Sequence, residues 1–163
     1  MNTRVVGISD CKVSRDPGDV LLTYALGSCI AVAVHDPVAR VGGLLHYLLP
    51  EASIEPVKGA RNPCMFADTG IAHLLKRVGA CGARRERLVV RIAGGARMLD
   101  IHESFDIGRR NLHAARRLLA REGLAVAGEA TGGGISRTLR LEIATGRVSI
   151  RGCRIEPQPG APR

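Results

Sequence analysis

"CIAVAVHDPVARVGGLLHYLL", residues 29 to 49, holds two apolar runs on either side of Asp-Pro-Val-Ala-Arg. The insert is rich in turn formers and the flanks are too short and too apolar for surface helices, so the stretch reads as a β-hairpin. With Asp36 to Ala39 as the loop, His35 pairs with Arg40, paired numbers sum to 75, and Cys29 stands across from His46. Directly opposed residues carry Cβ atoms about 4.5–5.5 Å apart, which brings a thiol within reach of an imidazole. The reading depends on register, because a slip of one residue sends one of the two side chains to the opposite face. His35 shares the face but lies six residues along the strand from Cys29, roughly 20 Å at about 3.3 Å per residue. His73, on the outer side of a helix, His102 and His113 have no comparable relation to the cysteine.

Outward from the hairpin, "RVVGIS" (4–9) and "VLLTYAL" (20–26) read as buried strands bounded by "RDPGD" and "GS". Asn62-Pro63 starts a helix that places Ala67, Ile71, Leu74, Leu75 and Val78 on one face before Gly79. "RLVVRI" alternates, with Leu88, Val90 and Ile92 inward, and runs into Gly94-Gly95. A second helix over about 109–122 turns Leu112, Ala115, Leu118 and Leu119 inward and an Arg-rich face outward. "LAVAGEA" follows as a strand, and "RTLRLEI" and "RVSIRG" are joined by the turn "ATG". Seven or eight short strands with two good helices and hairpins at both ends favour an α+β domain over a doubly wound parallel sheet. There is no internal repeat or dividing linker. One domain is expected over 1–155, with "EPQPGAPR" (156–163) as a disordered tail.

Composition narrows the class. A chain of 163 residues fits one domain, and 45% apolar residues with only 2% aromatics call for a core of Leu, Val, Ile and Ala. Lys plus Arg number 24 against 15 acidic residues, a formal +9 that is nearly all arginine, and such a surface favours acidic partners. Nucleic acid is one candidate, but no nucleic-acid fold signature appears and no nucleic-acid partner is expected. Two Tyr and two Phe offer little for base stacking, and an acidic protein surface has at least equal weight. The five cysteines form no C-x-x-C or zinc-finger spacing, which suggests reduced thiols inside a cell. "ALGSCIAVAV" is too short to cross a bilayer and the N-terminus carries no secretion signal, so a cytoplasmic protein without membrane insertion is expected.

A Cys–His pair has a chemical use. The thiolate is the attacking species, and an imidazole that accepts the thiol proton creates it, then returns that proton to a leaving group. Thr23, on the adjoining strand, is a candidate to orient the ring. Gly27 and Ser28 precede Cys29 in a turn whose backbone N–H groups could point at a developing oxyanion. The other reading is structural: free cysteine is among the most buried residue types, and a histidine at a strand end is more often a hydrogen-bond partner than a base. Gly94-Gly95 and Gly132 to Gly134 match no phosphate-binding motif and read as tight turns. "ARRERL" and the arginines of 109–121 read as a solvated face. Asp68, His73 and Glu129 suggest no metal set, and nothing asks for a cofactor.

"LGSCIAVAVHDPVARVGGLLHYLLP" resembles the signature of the CheD family, chemoreceptor glutamine deamidases of bacterial and archaeal chemotaxis. "GARRERLVVRIAGGARML", "IGRRNLHAARRLLAREGLAV" and "GGGISRTLRLEIATGRVSIRG" extend the resemblance in the family's order from about Val5 to Gly152. It implies an amidohydrolase that converts selected glutamines of methyl-accepting chemoreceptor cytoplasmic domains to glutamate, with Cys29 as nucleophile and His46 and Thr23 as its companions. It also implies a single layered domain of stacked mixed and antiparallel sheets with two main helices, similar to Cys–His toxin-type deamidases, and a CheC-type phosphatase as a partner. A thiolate could equally attack a methylated glutamate. The alternative function is a weakly catalytic or non-catalytic module that works by docking to the CheC-type phosphatase.

Overall fold

The computed structural model describes residues 1–97 and 106–154; His102 and the tail expected from 156 onward lie outside the described residues. Nine strands, β1 (Asn2–Val5), β2 (Asp10–Ser14), β3 (Asp19–Leu26), β4 (Ile30–Asp36), β5 (Val41–Tyr47), β6 (Val89–Gly94), β7 (Val126–Thr131), β8 (Ile135–Glu142) and β9 (Val148–Arg154), form two mixed sheets. Their orders are β1-β3-β8-β9 and β2-β5-β4-β6-β7. Among the described residues the α-helices are α1 (Pro56–Arg61), α2 (Ala67–Ala80) and α3 (Ile107–Arg121). The expected α+β arrangement of stacked sheets and two main helices is the one observed.

Every residue of β4 and β5 is buried, because the hairpin lies in the middle layer. One face carries Ala31, Ala33 and Leu44 against Leu21, Leu139, Leu141 and Ile143 of the four-stranded sheet. The other carries Ile30, Val32, Leu45 and Tyr47 against Ile71 and Leu74 of α2 and Ala115 and Leu119 of α3. A strand covered on both faces reads as a continuous apolar run, and that is why the quoted stretch shows so little alternation. Its glycines serve packing. A Cβ on Gly42 would meet Ile143 Cδ1 at 2.7 Å, and one on Gly43 would meet Leu74 Cδ1 at 2.7 Å, so each opens room for the layer on its own side.

The hairpin register differs from the expected one. Ile30 pairs with Tyr47, Ala31 with His46 and Asp36 with Val41, so paired numbers sum to 77 and the loop is 37–40. Asp36 causes the shift. Its fully buried carboxylate accepts from the N–H groups of Val38 at 2.9 Å and Ala39 at 3.0 Å, which curls the loop back over it. The same carboxylate accepts from Arg84 N–H at 2.8 Å and from the Arg87 guanidinium at 2.8–3.1 Å. Asp36 thus becomes the last paired residue, and Arg40 closes the loop in the left-handed region at φ 53°.

Burial would raise the Asp36 pKa, but the Arg87 fork and the N–H groups of Arg84, Ala39 and Val38 outweigh it and hold the carboxyl well below its usual range. Arg87→Ala would strand this carboxylate in the interior with main-chain donors alone. We expect a loss of about 2–4 kcal/mol and a fall in Tm of roughly 5–15 °C, read by thermal unfolding at neutral pH.

Other elements depart from expectation for local reasons. "RVVGIS" is not one strand: β1 ends at Val5, the chain turns at Ser9 with φ 58°, and β2 begins at Asp10. Asn62-Pro63 opens a single 3-10 turn, Pro63–Met65, in which the Asn62 side chain accepts from Cys64 N–H; α2 starts only at Ala67. Its buried residues include Ala67, Ile71, Leu74, Leu75 and Val78, as the pattern predicts. α3 begins at Ile107, capped by Asp106, whose carboxylate accepts from Arg109 N–H at 3.0 Å.

Candidate active site

His46 sits on β5 with its side chain in the layer between the sheets and is 1% exposed. Its Nδ1 lies 2.8 Å from Thr23 Oγ1, and the same hydroxyl lies 2.7 Å from the carbonyl oxygen of Val6. These two contacts fix the protons. A carbonyl only accepts, so the one hydroxyl proton of Thr23 goes to Val6 O, and Oγ1 must accept from His46 Nδ1–H. The imidazole is then the Nδ1–H tautomer, and Nε2 carries the bare lone pair. Nε2 is buried and has no hydrogen-bond partner among the described residues.

Thr23 owes its place to an irregularity. It pairs with Leu139 of β8, but the ladder resumes at Leu26–Arg137, with a bulge between. Within the bulge Ala25 takes φ 55°, and Gly27 N–H donates to Ala25 O at 3.0 Å. The chain therefore leaves β3 sharply and re-enters the other sheet as β4, delivering Cys29 at the crossing. Bulges of this kind re-aim side chains at sheet rims.

Cys29 packs with Val6, Leu26 and Ala31 in the cluster between the sheets, the layer that also holds His46. Because the register shift is an even number, both side chains keep the face assigned from sequence. The cysteine lies two residues before Ala31, the residue directly opposite His46, and so is diagonal to the imidazole. At rest the two groups are not hydrogen-bonded to one another. Burial pushes the Cys29 thiol above its ordinary value, against a smaller lowering by its own N–H. Burial also pushes His46 down to about 4. At neutral pH the two groups rest as a thiol and a neutral imidazole at diagonal positions on one face, and a bare Nε2 is the proton acceptor such a thiol needs.

The N–H groups of Gly27, Ser28 and Cys29 differ in what they bond. Gly27 N–H is already committed to Ala25 O, so Gly27 supplies no oxyanion donor; its carbonyl instead accepts from Ala96 N–H at 2.8 Å. Neither Ser28 N–H nor Cys29 N–H donates to another main-chain carbonyl among the described residues.

Three residues around Cys29 escaped the sequence reading. Gly94 and Gly95 are more than a turn: Gly95 N–H donates to Cys29 O at 2.9 Å, and a Cβ on Gly94 would lie 2.1 Å from that same oxygen. Asn111 of α3, 0% exposed, donates through Nδ2 to Ser28 O at 3.0 Å and to Leu48 O at 2.8 Å. It ties the segment before Cys29 to the segment after His46. The sequence signal for Asn111 was a polar residue on the inner stripe of an otherwise apolar helix face. His35 is held in the interior by Ile143 O at 2.9 Å, while His73 and His113 lie on helices away from the inter-sheet layer. Among the described residues no three His, Cys, Asp or Glu side chains gather as a metal-binding group, and no helix is long and apolar enough to cross a membrane.

Residues 48–152 match the family model for CheD chemotactic sensory transduction. A Solibacter usitatus protein named "Probable chemoreceptor glutamine deamidase CheD" is 51% identical over 93% of this chain and 89% of its own length. "Probable chemoreceptor glutamine deamidase CheD 1" of Syntrophus aciditrophicus is 48% identical over 93% of this chain and 94% of its own. The archaeal relative of that name from Pyrococcus horikoshii is 43% identical over 90% of each chain.

Proposed function

The chain belongs to the CheD family, and we propose that it hydrolyses the side-chain amide of chemoreceptor glutamines to glutamate, with Cys29 as nucleophile, His46 as acid and base, and Thr23 orienting the ring. The observation that carries the catalytic assignment is the bare, buried Nε2 of His46, whose tautomer is set through Thr23 by Val6 O. A purely structural histidine in a sealed layer would use both nitrogens, since an unmade buried hydrogen bond costs about 1–3 kcal/mol.

In the proposed reaction the Cys29 thiol proton passes to Nε2 as sulfur bonds to the carboxamide carbon. The N–H groups of Ser28 and Cys29 hold the oxyanion. His46 returns the proton to the nitrogen, the C–N bond breaks and ammonia leaves a thioester. Water then gives a proton to Nε2 and its oxygen to the carbonyl carbon. The C–S bond breaks, the sulfur recovers the proton from Nε2, and the glutamate side chain departs as the carboxylic acid, which loses its proton to solvent or to the released ammonia. Thr23 Oγ1 keeps accepting from Nδ1–H throughout, which supports the imidazolium formed midway.

The alternative, a module that acts by docking to a CheC-type phosphatase, gives no reason for an unpartnered imidazole nitrogen beside a thiol, and is the weaker reading. The test is incubation of a chemoreceptor cytoplasmic fragment with the protein, followed by peptide mass mapping and ammonia assay. Each conversion exchanges NH2 for OH, raises the mass of a glutamine peptide by a single unit and releases one ammonia. A fragment unchanged in mass after prolonged incubation would overturn the reading.

A further inference from the structure

We propose that the cleft between the Pro50–Glu51 segment and the outer face of α3 is a docking site for an acidic segment of the substrate chain next to the target glutamine. The inference rests on the deamidase reading. The cleft, about 350 Å³, is lined by Arg109, Arg110, His113 and Arg117 along one side of α3 and by Pro50 and Glu51 across from them. Positions 109, 110, 113 and 117 fall on one helix face at i, i+1, i+4 and i+8.

What distinguishes these arginines is that three of them line one concavity and none is spent on an ion pair among the described residues. Arg4, Arg85, Arg87, Arg116 and Arg140 each have a carboxylate partner, in Asp19, Glu122, Asp36, Glu129 and Glu142. Arg109, Arg110 and Arg117 form no ion pair among the described residues, although Glu51 lines the same cleft; its carboxylate accepts from Ser53 Oγ instead. Three unpaired guanidiniums around one concavity, against a single carboxylate, concentrate the positive field that the whole chain's +9 only spreads. Such forks select carboxylates.

Position makes the cleft part of the reaction. Asn111, between Arg110 and Leu112, bonds Ser28 O and Leu48 O, so this stretch of α3 is pinned to the residue before Cys29. Pro50 follows two residues after Leu48, itself two after His46. A substrate chain with its glutamine at Cys29 would meet this side of the molecule with the residues next to that glutamine. Deamidation makes carboxylates, so a substrate with several target glutamines gains complementarity to the cleft with each turnover.

The test compares the protein with an Arg109→Gln, Arg110→Gln, Arg117→Gln variant, using Arg121→Gln on the same helix outside the cleft as control. Binding of a chemoreceptor cytoplasmic fragment is titrated directly at low and high salt, and turnover is measured separately. The triple variant is expected to bind roughly tenfold to a hundredfold more weakly at low salt, to lose most of the wild-type salt dependence, and to keep its Tm and kcat. An affinity within about twofold of wild type, or an equal loss in Arg121→Gln, would overturn the docking site. So would tighter binding of DNA than of the fragment through the same arginines. Fragment binding that depends on the cleft without turnover would defeat the deamidase reading and leave the docking site standing; turnover with unaltered affinity would do the reverse.

Discussion

Deamidation of a receptor fragment falls by at least ~10³-fold in Cys29→Ala, and by a similar factor in His46→Gln, because attack needs both the sulfur and a base for its proton and neither works alone. Both variants retain the fold, since Cys29 is a small member of its cluster and glutamine can still donate to Thr23. Thr23→Val removes the acceptor for Nδ1–H and frees the ring to turn or change tautomer; a loss of about 10–100-fold is expected, largely restored in Thr23→Ser. The pH dependence carries the same signature. His46 is pushed down to about 4 by burial, from an ordinary 6.5, so the base is already free at pH 6 and kcat/KM has no inflection near 6.5. Below pH 6.5 the unfolded chain takes up a proton that the folded imidazole refuses, so stability declines as pH falls toward 4, by about 3 kcal/mol in all. His46→Gln abolishes that component. Retained turnover in Cys29→Ala, measured by ammonia release, would remove the nucleophile from the scheme.

Gly94→Ala is the other substitution with a large expected effect. Gly94 has φ 112° and its added Cβ would fall 2.1 Å from Cys29 O, so the substitution combines a forbidden backbone conformation with a collision against the main chain of the proposed nucleophile. Backbone has no rotamer into which to retreat. A loss of about 2–4 kcal/mol is expected, together with a fall in kcat of at least about 10² from displacement of the sulfur. Gly79→Ala, a helical position where nothing stands within 4 Å of a Cβ, is the matching control: kcat should not change, and stability should stay the same or rise by up to about 1 kcal/mol. Full activity in Gly94→Ala would show that the position of Cys29 does not depend on this contact.

The hairpin was legible because two apolar runs flank a turn-forming insert, whereas its place between two layers, and the packing role of Gly42 and Gly43, was not. The faces of Cys29 and His46 followed from parity alone, which survives a register error of two. The register itself was not legible, since it is decided by Asp36 bonding Val38, Ala39, Arg84 and Arg87, and the last two are about fifty residues away. β2 was missed because "DCKVS" offers only Cys11 and Val13 as buried apolar positions. α1 was missed because "PVKGAR" holds Pro and Gly and buries only Gly59. Thr23 could be named from sequence only as a neighbour on the adjoining strand. Its hydrogen bond to Val6 O, which decides the tautomer, joins β3 to the residue just past β1 and has no local signature.

The protonated state of the buried sulfur has a consequence for the life of the protein between encounters. Peroxides and soft electrophiles attack thiolates, and susceptibility follows thiolate character and exposure. A thiol raised by burial and 7% exposed presents little of either. The molecule thereby resists adventitious alkylation and oxidation while idle, and covalent inhibitors would need to imitate a carboxamide closely enough to draw the proton onto His46 before they react.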